Sequence, residues 1–120
     1  MSKVLVVDDD PDLAAICSLV LESEGYATDV ANNGADAYDA LVADDVDVVL
    51  MDVMMPVLDG ISVCKMVKRD PKMHGLPVII MSASEVLRDE AKRCCADAVL
   101  EKPFDIDVLL NTVGRFASSD

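Results

Sequence analysis

Hydrophobic positions along this 120-residue chain alternate between two periods. Val4-Leu5-Val6-Val7 is a short continuous apolar run, as a strand buried on both faces requires. Pro11 then opens a helix whose apolar residues Leu13, Ile16, Cys17, Val20 and Leu21 recur at helical spacing, and Gly25 stops it. A second strand spans 26–31 and runs into the turn Asn32-Asn33-Gly34, followed by a short helix through Ala37, Ala40 and Leu41. Residues 46–51 form the third and most hydrophobic strand. The loop 52–60, carrying Pro56, leads into a helix over about 61–69. Residues 77–81 are the fourth strand. A weakly amphipathic helix over 86–95 follows it, with Leu87, Ala91, Cys94 and Cys95 on one side. Ala98-Val99-Leu100 is a brief fifth strand ending at Lys102-Pro103. The last helix, capped by Asp105, sets Ile106, Leu109, Leu110 and Val113 on one face. Five strands alternating with five helices on short loops imply an α/β domain with a parallel sheet covered on both faces.

In such open sheets the functional crevice lies at the carboxyl ends of the strands, where strand order reverses. Those ends carry Asp8-Asp9-Asp10 on the first strand, Asp52 on the third, Ser82 on the fourth and Lys102 on the fifth. The second ends in Ala31 and offers nothing comparable. Converging carboxylates do not all stay ionised cheaply without a cation, and magnesium suits them, taking one or two carboxylates together with water or phosphate. A lysine and a hydroxyl at the same rim complete a pocket for a tetrahedral dianion, and one carboxylate is then positioned as a nucleophile that forms an aspartyl phosphate. Each residue also has an ordinary role to set against this. Asp10 and Asp12 read equally well as caps of the helix opening at Pro11, Asp52 as a turn residue, and Lys102 as a solvated lysine. Agreement of four strand ends is what outweighs the separate ordinary readings.

Composition narrows the classes. Hydrophobic residues make up 52% of the chain, ample for a buried core and too many for a disordered segment. No apolar run reaches the ~18 residues of a membrane span, and Met1-Ser2-Lys3 does not open a signal peptide, so a soluble cytoplasmic domain is expected. The net charge of -13 is carried entirely by residues 1–60, which hold 14 acids and one base, whereas the second half is balanced. A half that acidic repels phosphodiester backbones and disfavours direct nucleic-acid binding. Cys17, Cys64, Cys94 and Cys95 form no C-x-x-C pair and His74 is the one histidine, so zinc has no ligand set; four buried free thiols are expected.

These segments together resemble the receiver domain of two-component response regulators (CheY-like), and the resemblance covers essentially the whole chain, residues 1–120. Val6-Val7-Asp8-Asp9-Asp10-Pro11 looks like the family's acidic-pair segment, and 52–60, Asp52-Val53-Met54-Met55-Pro56-Val57-Leu58-Asp59-Gly60, is similar to its phosphorylation loop. Met81-Ser82-Ala83 matches the hydroxyl-bearing strand end, and Glu101-Lys102-Pro103-Phe104 the lysine-proline signature. The resemblance implies a flavodoxin-like five-stranded sheet of order 2-1-3-4-5. It implies that Asp52 accepts a phosphoryl group from a phosphohistidine on a histidine kinase or phosphotransfer protein. Asp8 and Asp9 are then expected to organise Mg2+ with Asp52 and the backbone carbonyl of Met54. Ser82 is expected to hydrogen-bond a phosphoryl oxygen, and Lys102 to pair with the phosphate and, beforehand, with Asp52. The Lys102-Pro103 bond is expected to be cis. Met54 and Ser84 fall where the family tunes hydrolysis.

The same resemblance implies that phosphorylation draws Ser82 inward and changes the surface around helix 4, strand 5 and helix 5 for a downstream effector or output domain, leaving open an activation-dependent homodimer. Such a domain assists its own phosphorylation and dephosphorylation and is not a dedicated enzyme. One departure stands out: where most members carry an aromatic residue three positions before the lysine, this chain has Val99. Serine rather than the commoner threonine at 82 is a milder change, and Cys95 stands where glycine is frequent.

Rival readings fit less well. Asp8-x-Asp10 superficially matches the nucleophile segment of haloacid dehalogenase-type phosphatases, but Asp12 stands where that pattern wants Thr or Val, and the chain has no room for a cap domain. Asp8, Asp10 and Asp12 also open like an EF-hand loop, whose glycine and bidentate glutamate would fall on Leu13 and Leu19. A receiver that acts as a scaffold without phosphorylation sits poorly with an intact residue set. Residues 117–120 read as a frayed end, and whether the domain stands alone or belongs to a longer protein is left open.

Overall fold

A computed structural model describes residues 2–43 and 45–117. Five strands, β1 (Lys3–Val7), β2 (Ala27–Ala31), β3 (Val48–Asp52), β4 (Val78–Ser82) and β5 (Ala98–Glu101), alternate with five helices. The helices are α1 (Pro11–Ser23), α2 (Gly34–Ala43), α3 (Gly60–Arg69), α4 (Glu85–Cys94) and α5 (Ile106–Gly114). All strand pairs are parallel, and the sheet order is β2-β1-β3-β4-β5, as the resemblance implied.

The strand period of two sorts the apolar residues into two cores. Leu5, Val7, Val49, Met51, Val78 and Ile80 face one layer, where Ala37 and Leu41 of α2, Cys64 and Val67 of α3, and Ala91 of α4 cover them. Val4, Val6, Val48, Leu50, Ile79 and Met81 face the other, covered by Ala14, Cys17 and Leu21 of α1 and Leu109 and Val113 of α5. Every residue of β3 and β4 is buried. That is why these two strands read as unbroken hydrophobic runs rather than alternating ones.

Several boundaries and faces differ from the sequence expectations. The third strand starts at Val48 rather than 46; just ahead of it the Asp47 carboxylate, in place of a backbone carbonyl, accepts the Lys3 N–H at 2.8 Å. The fourth strand begins after Pro77, which has no N–H for the ladder, and extends to Ser82. The buried face of α1 is Ala14, Cys17, Ser18 and Leu21, whereas Ile16 is 56% exposed. Small residues let α1 approach the sheet, and a pattern weighted toward bulky side chains misplaces the face by a fraction of a turn. Ile106 is likewise exposed on α5. In α4 the apolar and polar sides are more sharply separated than expected, but the apolar side is narrow: Ala91 is its one fully buried residue, with Leu87 packed beside it. Cys17 and Cys64 are buried free thiols. Cys94 is exposed and Cys95 half-buried at the end of α4, so the expectation of four buried thiols fails for that pair. Asp105 occupies the cap position of α5 without a side-chain capping bond. The expectation of a frayed end falls, beyond Ala117, outside the described residues. Among the described residues no helix is long and apolar enough to cross a membrane.

The segment after β3 carries local strain. Val57 has φ 70° and is fully exposed, and the Leu58 N–H reaches back across it to the Pro56 carbonyl at 2.8 Å. A β-branched residue at positive φ is disfavoured by contact between Cβ and its own backbone. Val57→Gly removes that contact at the cost of a more flexible unfolded chain, and is expected to raise stability by about 1 kcal/mol, read as a shifted urea midpoint at unchanged slope.

Candidate functional site

The sheet order reverses at β1, which lies between β2 and β3, so the crevice opens where Asp8 and Asp52 leave the sheet. The carboxylates of Asp8, Asp9 and Asp52 come within 4.8 Å of one another. Asp8 and Asp52 are buried, at 1% and 6% exposure, whereas Asp9 faces solvent. Lys102 arrives from the end of β5, its Nζ 2.9 Å from Asp8 Oδ2 and 3.4 Å from Asp52 Oδ1. Its peptide bond to Pro103 is cis.

Each member is held by neighbours that the fold supplies. Asp8 Oδ1 accepts the Asp10 N–H at 3.0 Å, and the Asp8 carbonyl accepts Asn32 Nδ2 at 3.1 Å. Asn32 follows β2 directly, so the second strand end does contribute to the site, through a backbone contact that no charge or motif announces. Asp10 caps α1, its Oδ1 accepting the Asp12 and Leu13 N–H groups, which bears out the capping reading for that residue. Gly60, the first residue of α3, lies against the end of β3: a Cβ there would collide with the Asp52 carbonyl oxygen. Its N–H donates to the Val53 carbonyl at 3.0 Å, closing the 53–59 loop at its base. Met54 and Asp9 line the same open depression of about 730 Å³, together with Met55, Asp59, Lys65 and Glu90.

Ser82, the last residue of β4, is buried and lies one step beyond Met81, the register partner of Asp52. Its Oγ accepts the Ser84 N–H at 3.0 Å, and a hydroxyl engaged as an acceptor keeps its own proton to donate. Ser84 in turn caps α4, accepting the Leu87 N–H. The Ser82 carbonyl receives the Lys102 N–H at 3.0 Å and Arg88 Nη1 at 2.8 Å. Sequence reasoning passed over Arg88, since an arginine on a polar helix carries no signal of its own.

Electrostatics follow from burial. Desolvation pushes the Asp52 carboxyl above its ordinary value; the Lys102 charge pulls it back, and Asp8 and Asp9 push it further up. For Lys102 burial alone would lower the pKa, but the bond to Asp8 and the charges of Asp52 and Asp8 outweigh it, and the ammonium is held above its usual range. Three carboxylates against one ammonium leave the crevice short of positive charge. All the donors are hard oxygens, which is the set a magnesium ion takes.

Known proteins resemble this chain along nearly its whole length. The family model described as response regulator receiver domain matches residues 4–114. The transcriptional regulatory protein CpxR of Escherichia coli strain K12 is 40% identical over 107 residues, covering 88% of this chain and 44% of the relative. The receiver domain of the Francisella response regulator 1452 superposes with a TM-score of 0.89 at 37% identity, covering 97% of this chain and 96% of that one. The response regulator protein TrrA of Thermotoga maritima, solved in complex with Mg(2+)-BeF, gives 0.89 at 29% identity, with 98% and 100% covered. The chain spans about half the length of the curated relatives it matches.

The raised Asp52 pKa has a consequence for stability. The unfolded chain releases this proton more readily than the folded one, so ionised Asp52 weighs against folding. That cost is absent below the ordinary carboxyl value of 3.8 and complete once pH has risen past the raised folded-state value. At neutral pH without divalent cations, Asp52→Asn is expected to unfold at a higher urea midpoint than the wild type; a lower midpoint would contradict the sign.

Proposed function

The chain belongs to the response regulator receiver family, and from that premise we propose that Asp52 is the residue that accepts a phosphoryl group, with the whole chain, residues 1–120, forming that one receiver domain. The observation that carries the proposal is the convergence of Asp8, Asp9 and Asp52 within 4.8 Å, with the Lys102 ammonium against two of them. A carboxylate nucleophile must be ionised, aimed and shielded from bulk water. Asp52 meets the last two conditions by standing, almost fully buried, at the end of a buried strand, and Lys102 favours its ionised form.

In the proposed step an Asp52 oxygen attacks the phosphorus of a phosphohistidine on a sensor histidine kinase or phosphotransfer protein. The new O–P bond forms as the P–N bond breaks, and the imidazole leaves with the bonding pair. Asp8, Asp9, Asp52 and the Met54 carbonyl would hold Mg2+, which when bound offsets charge on the phosphoryl oxygens. The fit rests on the hard-oxygen donor set, and the TrrA complex supports it. Lys102 exchanges part of its interaction with Asp52 for the incoming dianion, and Ser82 donates its free proton to a phosphoryl oxygen. These roles describe a domain that assists its own modification rather than a dedicated enzyme.

The output is a change at the surface of α4, β5 and α5, directed at an effector or output domain rather than at nucleic acid bound by this domain itself. CpxR, of which the chain covers less than half, is a transcriptional regulatory protein, and an output module elsewhere in a longer chain suits the same logic. A cytoplasmic setting and activation-dependent homodimerisation belong to the same reading.

Acetyl phosphate with magnesium is expected to add one phosphoryl group to the protein, and Asp52→Asn to abolish it. Intact-mass measurement decides, and an Asn variant modified to the wild-type extent overturns the assignment. Asp9→Ala is expected to weaken magnesium binding tenfold or more, about 1.4 kcal/mol, while Glu24→Gln, beyond the far end of α1, leaves it within about twofold by titration calorimetry.

A further inference from the structure

We propose that Arg88 is a positioning residue: its guanidinium holds the strand ends that carry Ser82 and Lys102 together and ties α4 to them, so that α4 reads the state of Ser82. This rests on the assignment of Asp52 and Ser82 just made.

Arg88 lies in the first turn of α4, and its side chain is only 15% exposed. Nη1 donates to the Ser82 carbonyl at 2.8 Å, and Nη2 lies 3.3 Å from Glu101 Oε2. Ser82 and Glu101 are register partners on β4 and β5, and Glu101 immediately precedes Lys102. The carbonyl that receives Arg88 also receives the Lys102 N–H. One guanidinium therefore spans the two strand ends from which the hydroxyl and the ammonium enter the site. A planar fork with five donors suits this task, whereas a lysine offers one point of charge.

The same helix is attached to Ser82 a second time. Ser82 Oγ accepts the Ser84 N–H, and Ser84 Oγ caps the first turn of α4 at Leu87. Both polar anchors of the α4 N-terminus thus converge on one residue, while the helix contributes only Ala91 as a fully buried side chain. An element with so little apolar burial is held largely by those anchors and opens at low cost when they change. Movement of the Ser82 hydroxyl toward a phosphoryl oxygen withdraws one anchor and loads the other, which is Arg88. Val99 packs half-buried against the core under α3 and α4 and offers no polar group, and the guanidinium is the polar connection between the strand ends and the helix.

The test compares wild type, Arg88→Ala and Arg88→Lys. In the free protein, amide exchange over residues 85–91 is expected to speed up about tenfold in Arg88→Ala, with Arg88→Lys in between and amides of β1 and β3 unchanged. With acetyl phosphate and magnesium, the wild type is expected to gain exchange in α4 on phosphorylation, whereas Arg88→Ala, already released, gains none. The alanine variant is expected to be phosphorylated several-fold more slowly with magnesium affinity intact. Exchange in Arg88→Ala within about twofold of wild type overturns the proposal. So does a loss of magnesium affinity parallel to the loss of rate, which marks general distortion. If Arg88→Ala fails to fold, the lysine variant decides alone: wild-type exchange in α4 refutes the proposal, faster exchange confined to α4 supports it. An unmodified wild-type Asp52 would defeat the preceding assignment instead, and the free-state exchange would still decide whether Arg88 holds α4.

Discussion

Two buried carboxylates share one ammonium at the end of this sheet. Asp8 and Asp52 leave water almost completely, and Lys102 is the cation the fold brings to them. Removing the ammonium leaves both carboxylates buried and uncompensated, a loss of about 3 kcal/mol or more. That is a large share of the roughly 5–15 kcal/mol by which a domain of this kind is stable. The three residues are separated by 44 or more positions in the chain, so the arrangement exists only when β1, β3 and β5 are all in register. The need to keep these groups together explains features that look unrelated: the bare Cα of Gly60 against Asp52, the Asn32 amide on the Asp8 carbonyl, and the Ser82 carbonyl that receives the backbone of Lys102.

Lys102 does not fully satisfy the site, and this matters for what the site does. Desolvation still dominates at Asp52 and holds its carboxyl above the ordinary value despite the ammonium nearby. A crevice satisfied within the protein would have little affinity for a cation or for a dianion accompanied by one. A crevice left with excess negative charge favours a divalent ion, and with that ion bound it tolerates phosphoryl oxygens. The strain at Val57, on the loop that follows Asp52, belongs to the same pattern of local cost at a site maintained by a stable scaffold.

Most of the scaffold was readable from the chain because burial on both faces of β3 and β4 leaves no room for polar residues, making those strands unmistakable. The site was readable for a related reason: Asp8, Asp52 and Lys102 are charged residues at the ends of apolar runs, where nothing in the core accounts for them. What escaped detection shares a different physics. Asn32 and Arg88 act on backbone carbonyls, and a carbonyl has no residue identity, so no pattern of side chains predicts the contact. The rotated face of α1 was missed because Ala14 and Ser18 are buried for their small size rather than their hydrophobicity. Cys94 and Cys95 were placed on the apolar side of the fourth helix by their spacing from Leu87 and Ala91, while the helix ends at Cys94 and leaves it exposed.

The contrast between α1 and α4 bears on how a charge at Asp52 reaches the surface. α1 buries Ala14, Cys17, Ser18 and Leu21 against the sheet, and moving it would expose all four. α4 buries Ala91 fully and otherwise depends on a cap, a guanidinium and the edge of the core. Any rearrangement caused by new charge in the crevice takes the path of least lost burial, which runs through α4 and not through α1. The path begins at Ser82, a buried strand-end residue whose carbonyl and hydroxyl both hold the helix. A buried strand end that is also a helix anchor turns a local electrostatic event into movement of an element, with no long chain of intermediates required.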